Sequence, residues 1–246
     1  MTEIFTWKNC KADVYSYRYG AIAKDFLTLV VYPALDALDN EIQKWKDSED
    51  PVSHFMIADL TELVEKTRMA FCLSIQSLWE RQIRTYLSGC HQELKLDLAS
   101  ATKRKGPDVA HSVFWGDELN AVFECLRGIA LPSFESYPKL NLLQLVGNVC
   151  RHGDGPSSRQ LWKDHPDLWP TYGPDERFDD PSEPLRPPPA DMMKISRDLL
   201  TSFVEAIDLF WDDTEYIYNE SIELKAASLE ARLVIERKKR QLRSAR

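Results

Sequence analysis

Apolar residues in this chain recur at intervals of three and four over most of its length, while the strict alternation of a half-buried strand is almost absent. That periodicity gives helices one apolar face each, which must be buried against other helices. The expected fold class is therefore all-α, a helical bundle. Nine glycines in 246 residues leave few breaks in the pattern.

A first helix is expected over Ala21–Lys46, kinked or split by Pro33. Asp50-Pro51 interrupts the chain. A long helical segment then runs from about Ser53, a suitable N-cap, to Leu94. Within it Cys72, Ile75, Trp79, Ile83 and Tyr86 form a stripe at helical spacing, with Ser77, Arg81 and Arg84 on another side. A polar, basic connector, Ala99–Gly106, precedes a shorter helix over Asp117–Ala130, opened by Gly116-Asp117 and closed before Pro132. The next helix covers roughly Leu140–His152. Gly153 suits the left-handed cap at its end, and Pro156 soon after prevents continuation. Ser157–Trp162 adds one or two turns.

From Asp164 to Pro189 the composition changes, with Pro166, Pro170, Pro174, Pro181, Pro184 and Pro187–Pro189. The 164–189 stretch reads as a loop of polyproline character, of a length usually tied to function or mobility. Trp162, Trp169 and Tyr172 are expected to pack its first half down. The last third is helical again: Leu199, Phe203, Ala206, Ile207 and Phe210 share one apolar face, and Ile222, Ala226, Leu229 and Leu233 another. A break is expected around Trp211–Asp213. These readings divide the chain into an N-terminal helical segment, 1–50, a helical core, 51–212, and a basic C-terminal helix, 213–246.

A chain of this length can bury a substantial core, as one large domain or two small ones. Its 43% apolar and 28% charged residues are ordinary for a globular protein. The longest apolar runs, such as Phe26–Tyr32, are too short to cross a bilayer, and no apolar leader follows Met1. The expectation is a cytoplasmic protein without a membrane partner. Five separated cysteines (Cys10, Cys72, Cys90, Cys125, Cys150) contain no C-x-x-C pair, which disfavours a zinc ribbon or a disulfide framework and predicts reduced, mostly buried thiols.

The net charge of −8 opposes general binding to phosphate backbones. The exception is the chain end, where Arg232, Arg237, Lys238, Lys239, Arg240, Arg243 and Arg246 face only Glu236. That patch reads either as a solvated helix end complementing the helix dipole or as a nucleic-acid contact.

No phosphate-binding glycine loop, H-E-x-x-H, G-x-S-x-G or EF-hand spacing occurs. Chemistry must come from the polar faces of helices, with no cofactor implied. On the helix ending at His152, Leu142, Leu145, Val146 and Val149 define a core face. Gln144, Asn148, Arg151 and His152 define a continuous polar stripe. His152 closes that stripe at the C-terminus, where the dipole favours imidazolium, a form suited to acid–base work on a ribose hydroxyl or leaving oxygen. The alternative is a histidine that caps carbonyls or bonds to a loop.

The stretch Leu142–Gly155, LLQLVGNVCRHGDG, resembles the signature of the HEPN superfamily, all-helical and often dimeric domains whose motif is an arginine followed by four to six residues and a histidine. In that resemblance His152 matches the histidine and Asn148 the polar residue after the arginine. Ser74–Arg84, SIQSLWERQIR, looks like the earlier helix, with Glu80 at its acidic position. The resemblance covers about Pro51–Phe210. It implies a metal-independent endoribonuclease of a defence or toxin–antitoxin type, with His152 as acid/base, Asn148 orienting the phosphate or the histidine, and RNA as partner. The motif arginine is absent: its three places hold Leu145, Val146 and Gly147. Arg151 is the substitute cation, with Arg81, Arg84 and Arg127 as further candidates.

Gly147, mid-helix beside Asn148, leaves room for a backbone, a ligand or a dimer partner. Asp154 caps the next turn or orients His152. His111 reads as structural, and His165 lies in the Pro-rich loop. Without the arginine two readings stand: an active ribonuclease, or a catalytically inactive HEPN-like binding or scaffold module that dimerises or binds a partner protein or RNA through its helices. A nucleotide or small-molecule sensor roofed by the Pro-rich loop is the third.

Overall fold

The computed structural model describes residues 5–106, 108–171 and 188–244, with side chains through Leu242. Among these residues the fold is all-α, without a strand. The helices are α1 (Lys11–Tyr15), α2 (Tyr19–Phe26), α3 (Tyr32–Lys46), α4 (Ser53–Leu94), α5 (Val109–Ser112), α6 (Asp117–Arg127), α7 (Tyr137–His152), α8 (Pro156–Asp164), α9 (Arg197–Glu220) and α10 (Ala227–Ser244). None is long and apolar enough to cross a membrane.

Local chemistry explains most boundaries. Between α2 and α3 the chain does not break at Pro33; it passes through a π-helical turn, Leu27–Val31, directly before the proline. A wider turn absorbs the carbonyl that Pro33, lacking an N–H, cannot bond. The start of α4 is capped by Asp50 instead of Ser53, since the Asp50 carboxylate accepts from the Val52 N–H at 3.0 Å. α6 stops at Arg127, three residues before Ala130, because Gly128 takes the left-handed conformation at φ 71°. α7 begins one turn before Leu140 and ends as expected. Gly153 adopts φ 69°, and its N–H bonds the Val149 carbonyl at 2.8 Å.

α9 carries the largest departure. The expected break at Trp211–Asp213 does not occur, and the turn falls after Glu220. Trp211, Asp213 and Thr214 are buried and Asp213 pairs with Arg240 of α10, so the polar-looking WDDTE run continues the helix, with Asp212 left exposed. Of the expected face Ile222, Ala226, Leu229 and Leu233 only Leu233 is buried, and Ile222 and Ala226 precede α10. Ion pairs hold the helix instead.

The chain forms two compact units, neither continuous in sequence. They do not follow chain order, unlike the division at 50 and 212. The first comprises Met1–Ala21, Glu80–Tyr137 and Ile207–Arg246. Its core centres on Phe123, Phe134 and Phe210, with centroids 4.9–6.1 Å apart, and on Trp211 edge-on to Tyr19 and Tyr86. Aromatic groups in such contact dominate core energetics, and truncating one costs about 3–5 kcal/mol. Arg127 and Asp13 form an ion pair here at 2.7 Å with side chains 0% and 1% exposed.

The second unit comprises Ile22–Trp79 and Pro138–Ala206. Val31, Leu35, Cys72, Ile75, Leu143, Val146, Leu200 and Phe203 fill its core. Trp162 meets Trp169 edge-on at 5.6 Å, and Trp169 donates to the Pro189 carbonyl at 3.1 Å. The start of the Pro-rich loop therefore packs down. Tyr172, Pro174, Pro181, Pro184 and Pro187 lie outside the described residues, as do Arg246 and the Arg243 side chain.

Candidate functional site

α7 meets the first part of α4 inside the second unit, and one side chain organises the contact. Gln76 is fully buried. Its Nε2 donates to Gln144 Oε1 at 2.9 Å and to Asn148 Oδ1 at 3.4 Å. Its Oε1 accepts from an Arg151 terminal nitrogen at 3.3 Å. Positions 144, 148 and 151 follow the i, i+4, i+7 rule, so one amide from α4 reaches three successive turns of α7.

Gly147 is the reason this is sterically allowed. A Cβ there would stand 2.3 Å from Gln76 Oε1 and 2.4 Å from its Cδ. The space that the sequence leaves open for a ligand or a dimer partner holds the Gln76 amide of the same chain. Gln144 is buried too, and its Nε2 has no acceptor. Thus the N-terminal part of the polar stripe, Gln144 with half-buried Asn148, is an internal seam. Leu145, expected in the core, is half-exposed, while Leu140 and Leu143 are fully buried. The buried arc of α7 is displaced toward Gln144 and Gly147, where the Gln144 Oε1 accepts from the buried Gln76 amide.

His152 is exposed, and no hydrogen bond or ion pair among the described residues orients it. Arg151 is exposed apart from its contact to Gln76, and Asn148 is half-buried. Asp154 does not reach toward His152: its Oδ1 accepts from the Ala190 N–H at 2.8 Å, capping the short turn Ala190–Met192 where the chain returns from the Pro-rich loop. Glu80 pairs with Arg84 at 3.3 Å along α4. Arg127, a candidate substitute for the motif arginine, is committed to Asp13, and Arg81 is exposed. Of the three places for the motif arginine, Val146 is buried in the core and Gly147 lies beneath Gln76, so only the Leu145 position has room for a guanidinium.

Sequence reasoning missed Gln76. The signal was present: position 76 follows Cys72 by four and precedes Trp79 by three, placing an amide on a core stripe, and a mid-helix glycine calls for whatever fills its space.

Further concavities are formed among the described residues. A cavity of about 540 Å³ in the second unit is lined by Glu65, Arg68, Lys139, Lys194 and Asp198 with the loop start at Asp167–Pro170. One of about 740 Å³ in the first unit is lined by Tyr15, Tyr19, Tyr86, Gly89, Glu93 and His111. Among the described residues no group of three or more His, Cys, Asp or Glu side chains is placed to hold a metal ion.

The basic patch is largely neutralised within the first unit. Arg237 makes a two-pronged contact to Glu220, Nε to Oε1 and a terminal nitrogen to Oε2, both at 2.7 Å, and a further 2.7 Å bond to Glu230. Arg240 pairs with Asp212 and Asp213, and Lys239 with Glu236. The Arg237 guanidinium holds the Glu220 carboxyl below its usual range, against the opposing effect of burial. Compared with known proteins, the chain matches no family model, no curated protein and no solved structure.

Proposed function

We propose that this chain is a catalytically inactive, HEPN-like binding module that acts through protein contacts made by its helices. The observation that carries the reading is the Gln76 amide seated over Gly147. It engages the side-chain oxygens of Gln144 and Asn148 and one terminal nitrogen of Arg151, turning these groups toward α4, and His152 is left without an orienting partner among the described residues. A general acid–base needs a held geometry near its substrate, and a phosphate site needs a free, planar guanidinium. The ion-paired α10 cations support a protein partner over RNA, since a cation matched to a carboxylate releases no counterion from a phosphate backbone.

The test is incubation of single-stranded and structured RNA with the full chain and its His152→Ala variant in chelator-containing buffer. The expected result is no cleavage above background by either. Turnover by the wild type that His152→Ala abolishes would overturn the proposal and establish a metal-independent ribonuclease in its place.

A further inference from the structure

A buried thiol pair lies in the first unit, apart from the α4–α7 seam. Cys10 and Cys90 place their sulfurs 3.6 Å apart in direct hydrogen-bonding contact. They belong to different elements: Cys10 caps α1 on the N-terminal segment, and Cys90 lies near the end of α4. Their approach follows from Gly89, where a Cβ would stand 3.0 Å from the Ala12 Cβ, so α1 lies close upon α4 at that turn. The Glu93 carboxylate fixes the register by accepting from the Lys11 N–H at 2.8 Å.

The surroundings favour a sulfur anion. A terminal nitrogen of Arg127 points at both sulfurs, 3.7 Å from Cys10 and 3.8 Å from Cys90. The guanidinium is held there by Asp13, by the Lys8 carbonyl at 3.2 Å and by the Trp7 ring, whose centroid lies 3.8 Å away. Tyr86 donates to the same Asp13 carboxylate at 2.8 Å. The contact between the two sulfurs pushes the Cys10 thiol below its ordinary value, against burial and the neighbouring Asp13 carboxylate, and the same contact pushes Cys90 up. Cys10 is 6% exposed and Cys90 is fully buried, so a small oxidant meets Cys10 first.

We propose that Cys10 and Cys90 are a redox modification site: a peroxide-class oxidant converts them to a disulfide that ties the N-terminal segment to α4. The Cys10 thiolate attacks one peroxide oxygen, the O–O bond breaks, and the departing hydroxide takes up a proton, leaving a sulfenic acid on Cys10. The Cys90 sulfur then attacks the Cys10 sulfur. The S–S bond forms, the S–O bond breaks, and a second water leaves with the Cys90 proton. Two thiols are oxidised and one hydrogen peroxide is reduced to two waters. The sulfurs must close from 3.6 Å to about 2.05 Å. The inference is independent of the binding-module reading.

The experiment treats the full folded chain with hydrogen peroxide, alkylates remaining thiols and maps the peptides by mass spectrometry. The expected product is a Cys10–Cys90 linked peptide lacking two hydrogens, reversed by dithiothreitol. Because the bridge closes a long loop, Tm is expected to rise by about 5 °C or more. A Cys10→Ser variant should show neither the linkage nor the rise. Mapping of the wild type decides the matter even where that variant does not fold. Recovery of Cys10 and Cys90 both alkylated, bridging of Cys72 to Cys150 instead, or oxidation of Cys10 to a sulfinic acid without a bridge would each overturn the proposal.

Discussion

Replacing Gly147 by alanine tests the central feature of the α4–α7 seam, because two opposing effects have different signs. Alanine is favoured over glycine inside a helix by about 1 kcal/mol, so an open position would give a more stable protein. Here the new methyl would stand 2.3 Å from Gln76 Oε1, and that amide must move. Gln76 is buried and shares bonds with Gln144, Asn148 and Arg151, so moving it strands buried polar groups at about 1–3 kcal/mol and strains the packing by a further 1–3 kcal/mol. Subtracting the helix gain leaves a net destabilisation of about 1–5 kcal/mol for Gly147→Ala. In a Gln76→Ala background the obstacle is gone, and the same change should stabilise by up to about 1 kcal/mol. The coupling between the two sites is then about 2–6 kcal/mol, read from urea midpoints of the four proteins at constant m. A Gly147→Ala chain that is more stable than wild type, or that shifts equally in both backgrounds, would refute the reasoning.

Removing one member of the buried Arg127–Asp13 pair, as in Asp13→Asn, should cost about 3–5 kcal/mol, while Asp13→Leu with Arg127→Met should cost much less, both measured by chemical denaturation. Glu220 is held below its unfolded value by Arg237, so its contribution is present above pH ~4.3 and is lost as pH falls through its lower folded value. Hydrogen-exchange protection factors in α10, taken relative to the intrinsic rate at each pH, should therefore fall at acid pH, and Arg237→Gln should remove that dependence. Asp154→Ala should cost about 1 kcal/mol by uncapping the Ala190–Met192 turn, with proteolysis near residue 190 as the readout. His152→Ala, at an exposed and unpartnered position, should change Tm by no more than about 2 °C.

Much of the fold is legible in the sequence, since it depends on neighbours three and four residues apart. The extent of α4, the buried stripe Cys72, Ile75, Trp79, Ile83 and Tyr86, and the glycine stop of α7 follow from periodicity and cap chemistry. The misreadings have one cause. Trp211–Asp213 looks like a break because polar residues interrupt the apolar pattern, yet Asp213 pairs with Arg240, far along the chain. Likewise, only the position of Gln76 on another helix decides that Gln144, at the start of the α7 polar stripe, is buried while Arg151 and His152 stay exposed.

The sequence by itself therefore determined which segments are helical and which residues share a face, because those properties are local. Tertiary structure alone decided who meets whom: Gln76 over Gly147, Arg127 with Asp13, Cys10 against Cys90. Each pairing joins residues 71 to 114 positions apart. Helical spacing carries no information at that range, where partners are selected by packing and by the cost of leaving a buried polar group unmatched.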